Sequence, residues 1–325
     1  MTLSDIKEED VKNFNNLLDY LKLLSVNGIQ PSMEKQLLLI LNQVIPFFPH
    51  MILTQEFPEI SRLTINKKII GKNKRIVNIR HLKYPPANKV KCYGRCNLPG
   101  QSVLYATNAD ILVAMNEMKP DVGDLITETT WKVKENQTLT YYPIFKNQPP
   151  SKGVINLRMS EINRLHEQHL KEYPPNVRTH IDSLVQFVAD AFTRRIHSDN
   201  NLDYIFSAYF SDKILHNFEE GKIDAIYYPS VKNNLSFENL AIKTDVFDNK
   251  YEIFEVRDSV LSAKSQDGCY CATLGDCKDF DFTTGKILWD PNKARQPKEQ
   301  IKQFRNQYGV DLNNGKFKRL FRMFS

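Results

Sequence analysis

The stretch YPPANKVKCYGRCNLPGQSVLYATNADILVAMNEM, residues 84–118, passes through three kinds of structure in 35 residues. Pro85, Pro86, Gly94, Pro99 and Gly100 punctuate its first half as turns. SVLYAT then reads as a strand, and Ala109 to Met118 as a helix. Outward from it, RIVNIRHL (75–82) and DLITETTWKV (124–133) are further β-prone runs, so residues 51–145 read as short strands around one helix. Upstream, Phe14, Leu17, Leu18, Leu21 and Leu24 recur at helical spacing after a candidate cap, Ser4. A second helix spans about Met33 to Ile45, which predicts an N-terminal hairpin packed on the body. Downstream, residues 155–220 turn helical, with Ile181, Leu184, Val185, Val188 and Phe192 on one stripe and Leu202, Ile205, Ala208 and Leu215 on another. Strand character returns at DAIYYPS, NLAIKTDVF and YEIFEVRDSVL. The C-terminal stretch offers Ile301, Phe304 and Tyr308, then Phe317, Leu320, Phe321 and Phe324, as amphipathic helices. Helices, strands, helices, strands, helices argue an α+β chain rather than a doubly wound sheet. The predicted division is serial: a hairpin over 1–50, a core domain over 51–262 with a helical insertion at about 155–220, and a basic C-terminal extension over 263–325.

The 325 residues suffice for a sizeable core, and 41% hydrophobic with 25% charged residues is a globular balance. QLLLILNQVIPFFPHMIL is too interrupted to predict a membrane span, and the polar, acidic MTLSDIKEED predicts neither signal nor transit peptide. The expected compartment is the cytoplasm. Five cysteines, an odd number, fit a reducing compartment. Residues 291–325 hold nine Lys/Arg against two Asp/Glu, whereas the other 290 hold 35 against 36. The net charge of +6 therefore belongs to the tail, and a nucleic-acid binder basic over its whole body is not expected.

Phosphate-cradling G-x-G-x-x-G and P-loop patterns are absent, as is a G-x-S-x-G elbow. His166-Glu167-Gln168-His169 is one residue short of H-E-x-x-H and fits a solvated helix better than a metal site. Cys269, Cys271 and Cys277, with Cys92 and Cys96, miss the common C-x2-C spacing and read as free thiols before they read as zinc ligands.

The informative residues form an ordered set. Arg95 and Asn97 stand in a Gly-Arg-x-Asn turn, Tyr105 in a Leu-Tyr strand, and Glu117 near a helix end. In YYPSVKNNLSFENLAI (227–242), Tyr228 and Ser230 flank a proline and Asn239 opens an apolar run. This order and spacing, over roughly Ile60 to Val260, resembles the RES-domain family, named for its Arg, Glu and Ser. The resemblance implies a split β-sheet core like that of ADP-ribosyltransferases, here with added N- and C-terminal helices. It implies an enzyme that degrades NAD as substrate, with water or phosphate as acceptor. It further implies the toxin of a toxin–antitoxin pair, held by a helix-turn-helix antitoxin, or a defence effector. A homo-oligomer is a further candidate assembly; no metal and no membrane are expected.

The chemistry suits these residue types. Nicotinamide leaves NAD as a neutral group, so the demand falls on the ribose, where positive charge develops. The carboxylate of Glu117 is the candidate stabiliser, and Arg95 offers a planar fork for phosphate or ribose oxygens. With Ser230 these are the candidate catalytic residues. Tyr105 offers a ring face, and Asn97, Tyr228 and Asn239 offer hydrogen bonds to the substrate. Arg62 and Arg80 are candidates for a second basic residue, with Arg62 preferred because family members often carry an early Arg after an apolar residue. Transfer of ADP-ribose to a protein would use the same pocket. The rival of another class is a non-enzymatic interaction protein whose basic tail binds nucleic acid.

Overall fold

The computed structural model describes residues 7–42, 51–108, 111–147, 154–196, 201–233, 235, 237–265, 268–290 and 295–312. In chain order the elements are α1 (Glu8–Asn27), α2 (Glu34–Asn42), β1 (Leu53–Gln55), β2 (Glu59–Ile65), α3 (Asn66–Ile70), β3 (Val103–Thr107), α4 (Ile111–Met118), β4 (Leu125–Val133), β5 (Leu139–Pro143), α5 (Val154–Leu170), α6 (Pro175–Thr193), α7 (Ile205–Asp212), β6 (Ala225–Pro229), β7 (Glu238–Lys243), α8 (Thr244–Lys250), β8 (Tyr251–Ser265), β9 (Gly268–Cys277), β10 (Phe280–Asp281), β11 (Lys286–Ile287) and α9 (Lys298–Tyr308). The chain is α+β, with mostly antiparallel pairing.

Two compact units divide it, and they interleave. The first is Met1–Glu56, Pro85–Tyr105 and Gln137–Phe247; the second is Phe57–Tyr84, Ala106–Asn136 and Asp248–Ser325. The serial division into 1–50, 51–262 and 263–325 does not coincide with these two units. The 51–262 stretch contributes to both units, because its strands find partners far along the chain rather than next to themselves.

In the first unit β1 and β5 are antiparallel, β5 and β6 parallel, and β6 and β7 antiparallel, with β3 beside β7. The helical hairpin belongs here. Val11, Phe14, Leu18 and Leu21 bury one face of α1, and α6 buries all five residues of its predicted stripe. The two helices meet where the Phe14 and His180 rings approach to 3.5 Å. The candidate cap Ser4 lies outside the described residues.

In the second unit β2, β4, β8 and β9 form an antiparallel run, and Ser61 on β2 pairs with Thr107 of β3. One face carries Leu63, Ile65, Ile126 and Leu261 under Met115 of α4. The other carries Leu125, Val260 and Leu274 under Phe304 of α9 and Val310. RIVNIRHL is not a strand. It holds a 3-10 turn, Ile79–His81, and an isolated bridge at Asn78, with another at Lys74 just before it. The reason is tertiary: Arg75 turns inward, its Nε 2.6 Å from the fully buried Asp258, and stacks 4.2 Å from the Trp289 ring. Its amide donates to Asp311 O and that of Ile79 to Gly285 O, so loops replace the ladder. The NLAIKTDVF run also divides, since β7 stops at Lys243 and Thr244 begins α8. β1, β2 and β5 fall within the predicted strand region 51–145 without a quoted run of their own, and β9 falls outside every predicted strand. Among the described residues no helix is long and apolar enough to cross a membrane.

Candidate functional site

The first unit holds most of the candidate residues, and Arg95, Asn97 and Tyr105 meet at the Gly94–Asn97 turn. The turn closes on itself through Gly94 N to Asn97 O at 3.0 Å. Tyr105 locks it from the adjoining strand: its hydroxyl donates to Asn97 Oδ1 and accepts from the Cys96 amide, both at 2.8 Å. Asn97 also donates to Cys92 O and Leu98 O. Glycine is required at 94, because a Cβ there would collide with Asn97 Oδ1 and reach 3.0 Å from the Tyr105 oxygen. Burial, with Cys96 alongside, pushes the Tyr105 hydroxyl well above its usual range, so it stays neutral and keeps both bonds.

Arg95 reaches from this turn to the end of α6. Its Nη1 donates to Phe192 O and its Nη2 to Arg194 O at 3.3 Å, while the guanidinium lies 5.1 Å from the Tyr204 ring. The last carbonyls of a helix lack intrahelical donors, and a cation there also meets the negative end of the helix dipole. In this arrangement the fork serves the α6 terminus. Cys96 is buried with its thiol against Ser211 and Tyr228, and burial pushes it up to about 12, so it is a packing thiol.

Tyr228 packs its ring 5.8 Å from Phe192 and stands directly across from Asn239 in the β6–β7 pair. Ser230 directly follows β6 and is fully buried. Its amide donates to Phe237 O at 2.7 Å, and its hydroxyl accepts from Asn233 Nδ2 at 2.7 Å. Arg95, Asn97, Tyr105, Tyr228, Ser230 and Asn239 are therefore carried by β3, β6, β7 and the turn before β3 in one unit.

Glu117 and Arg62 belong to the second unit. Glu117 is half-buried on α4, two residues past Met115. That helix covers the Leu63 and Ile65 face of β2. Arg62, which alternates with them, sits on the opposite face of the strand, level with Thr129 of β4.

A second polar group escaped the sequence reading. The buried Tyr227 hydroxyl accepts from Arg158 Nη1 at 3.1 Å and meets the Glu238 carboxylate, with Tyr141 at 5.5 Å between ring centres. Strand alternation puts Tyr227 on the face opposite Tyr228, a signal that was present in the pair of tyrosines itself.

His166 is buried beside Phe145 and 3.3 Å from Asp182, whereas His169 is exposed. The solvated-helix reading thus holds for one histidine of the pair and not the other. Cys269 and Cys271 of β9 lie on the Met115 side, with the Cys271 sulfur 4.0 Å from that of Met115; Cys277 sits instead beside Asp279 O and Arg75. Among the described residues no three His, Cys, Asp or Glu side chains are placed to hold a metal. Comparison of the chain with protein-family models, with curated proteins and with solved structures gives no match.

Proposed function

We propose that this chain cleaves NAD at the nicotinamide–ribose bond, in the manner of the RES domains its sequence resembles. The observation that carries the reading is the lock between Asn97, Cys96 and Tyr105. Two pieces of the motif that stand apart in sequence are joined by hydrogen bonds, and Tyr228, Ser230 and Asn239 of the late motif lie in the same unit. In this reading the C1′–N bond breaks and the bonding pair goes to nicotinamide, neutralising its ring nitrogen. The ribose is left with oxocarbenium character, and Glu117 supplies the carboxylate that stabilises it. Water adds at C1′ and loses a proton, giving ADP-ribose; phosphate in its place gives the 1-phosphate. Tyr105 holds the turn by its hydroxyl. Arg95 is a positioning residue, since its guanidinium bridges the turn to α6. The RES-type sheet core and an antitoxin partner belong to the same proposal.

The test is incubation of the purified, folded chain, free of any bound partner, with NAD, with and without phosphate, followed by NMR of the products. Nicotinamide release that Glu117→Gln lowers at least about a hundredfold is the expected result, roughly the effect of removing one transition-state stabiliser. NAD recovered intact after long incubation overturns the reading.

A further inference from the structure

Between the ends of β4 and β8, the Ile79–His81 turn and the β10–β11 hairpin lies a cleft of about 490 Å³. Trp131 and Tyr251 form part of its wall, and Arg80, Lys83, Lys134, Glu252 and Phe282 are the groups it offers a ligand. The walls are fixed by backbone bonds. Ile79 N donates to Gly285 O, Ile287 N to Val77 O and Lys134 N to Lys250 O, and Asn78 Oδ1 accepts from Arg80 N. All of these elements lie in the second unit.

The charges in this cleft are unevenly matched. Lys83 is neutralised by Asp248 at 2.7 Å. Lys134 instead donates to the carbonyls of Asp248 and Asn249, and the exposed Arg80 to His81 Nε2 at 3.4 Å. Among the described residues neither Arg80 nor Lys134 meets a carboxylate. Phe282 is 71% exposed at the rim, with Phe280 as its ring neighbour at 6.1 Å. Arg80, Lys83 and Lys134 outnumber Glu252 and Asp248 by one charge, and with the exposed ring and the acceptor of Glu252 they form a complementary set for one kind of molecule.

We propose that this cleft binds a nucleoside monophosphate. The phosphate is held by Arg80 and Lys134, the base lies on Phe282, and Glu252 accepts from a ribose hydroxyl or an exocyclic amine. A longer nucleic acid fits less well. Phe282 also borders a more open cleft of about 740 Å³ that contains Phe254 and Lys278, but Glu252 and Asp279 line it too, and Lys278 lies 4.0 Å from Glu255. A second phosphate would meet no net positive charge there. The proposal does not rest on NAD cleavage.

The test is calorimetric titration of the full chain with AMP, adenosine, inorganic phosphate and a ten-residue oligothymidylate. Saturable AMP binding is expected, with adenosine and phosphate at least about tenfold weaker. Arg80→Ala and Phe282→Ala should each weaken AMP at least about tenfold. Both residues are exposed, so these variants should keep the native circular dichroism spectrum and melting temperature. The proposal is overturned by absence of saturable AMP binding, by binding that both variants leave unchanged, or by phosphate binding as tightly as AMP. An oligothymidylate that binds more tightly than AMP and is weakened by Phe254→Ala overturns it in favour of a single-strand groove.

Discussion

A planar side chain that bridges two carbonyls is not replaced by a point charge, and Arg95 is such a residue. Its two terminal nitrogens serve Phe192 O and Arg194 O while its face lies over Tyr204. Lysine keeps the charge but cannot span both acceptors or stack in the same way. Arg95→Lys is therefore expected to destabilise the chain by about 1.5–3 kcal/mol, the range for losing a hydrogen bond made by a charged group. If the turn also positions the NAD-cleaving residues, nicotinamide release should fall about tenfold, or 1.4 kcal/mol of barrier, with the loss in kcat rather than KM. Thermal melting checks the first figure and steady-state kinetics the second. A loss confined to KM with no change in stability would point instead to direct phosphate binding by Arg95.

The contact of α1 with α6 turns on a histidine. His180 is buried under Phe14, and burial lowers its pKa to about 4. The unfolded chain takes up this proton near the ordinary value of about 6.5, the folded chain only near 4, so between those values the unfolded state binds more protons. The neutral ring's contribution is present above about pH 6.5 and is lost as pH falls toward 4, amounting to at most about 3 kcal/mol. Stability measured by urea unfolding should decline through that window, and His180→Leu should flatten the decline. Asp182 acts in a separate window. Hydrogen bonds to His166, outweighing the penalty of burial, and to Lys146 hold its carboxyl at about 2. Its contribution is present above the ordinary carboxylate range and disappears as pH falls through about 2, so the His180 variant should leave this lower limb intact.

At the level of the whole chain, the C-terminal stretch is structural before it is anything else. Phe304 covers Leu125, Val260 and Leu274, and Asn73 donates to Tyr308 O and Gly123 O. Arg75 N donates to Asp311 O, and Asp311 N to Asn73 O. Phe304→Ala should cost about 3 kcal/mol or more through the cavity left over β4 and β8, read as a lower midpoint of chemical denaturation. Truncation before Pro291 should cost more still, because it also strips the Asp311 backbone bonds. The stripe of Phe317, Leu320, Phe321 and Phe324 lies outside the described residues. A truncated chain as stable as the full one would show that α9 does not cover the sheet.

The parts legible in the sequence are those whose cause is local. The 3.6-residue period of α1 and α6, and the β-prone runs that became β3, β4, β6 and β8, follow from side chains a few positions apart. The candidate set of Arg95, Asn97, Tyr105, Ser230 and Asn239 was legible as an order of motifs, although nothing in that order shows which atoms meet. Partners distant in the chain decided the rest. RIVNIRHL has the composition of a strand, yet Arg75 must satisfy Asp258, 183 residues away, and the backbone follows that demand. The Arg95 fork goes to Phe192 O, 97 residues away, because the carbonyls at the end of α6 need donors. Tyr227 and Tyr228 are chemically equal neighbours whose environments diverge only once β6 has two buried faces. The basic cleft at Phe282 has no sequence signature at all, since its walls come from four separate stretches of chain. Periodicity and residue type act within a turn or a strand and so could be read directly. The pairing of buried charges and orphaned carbonyls acts through space, and only the folded chain determined it.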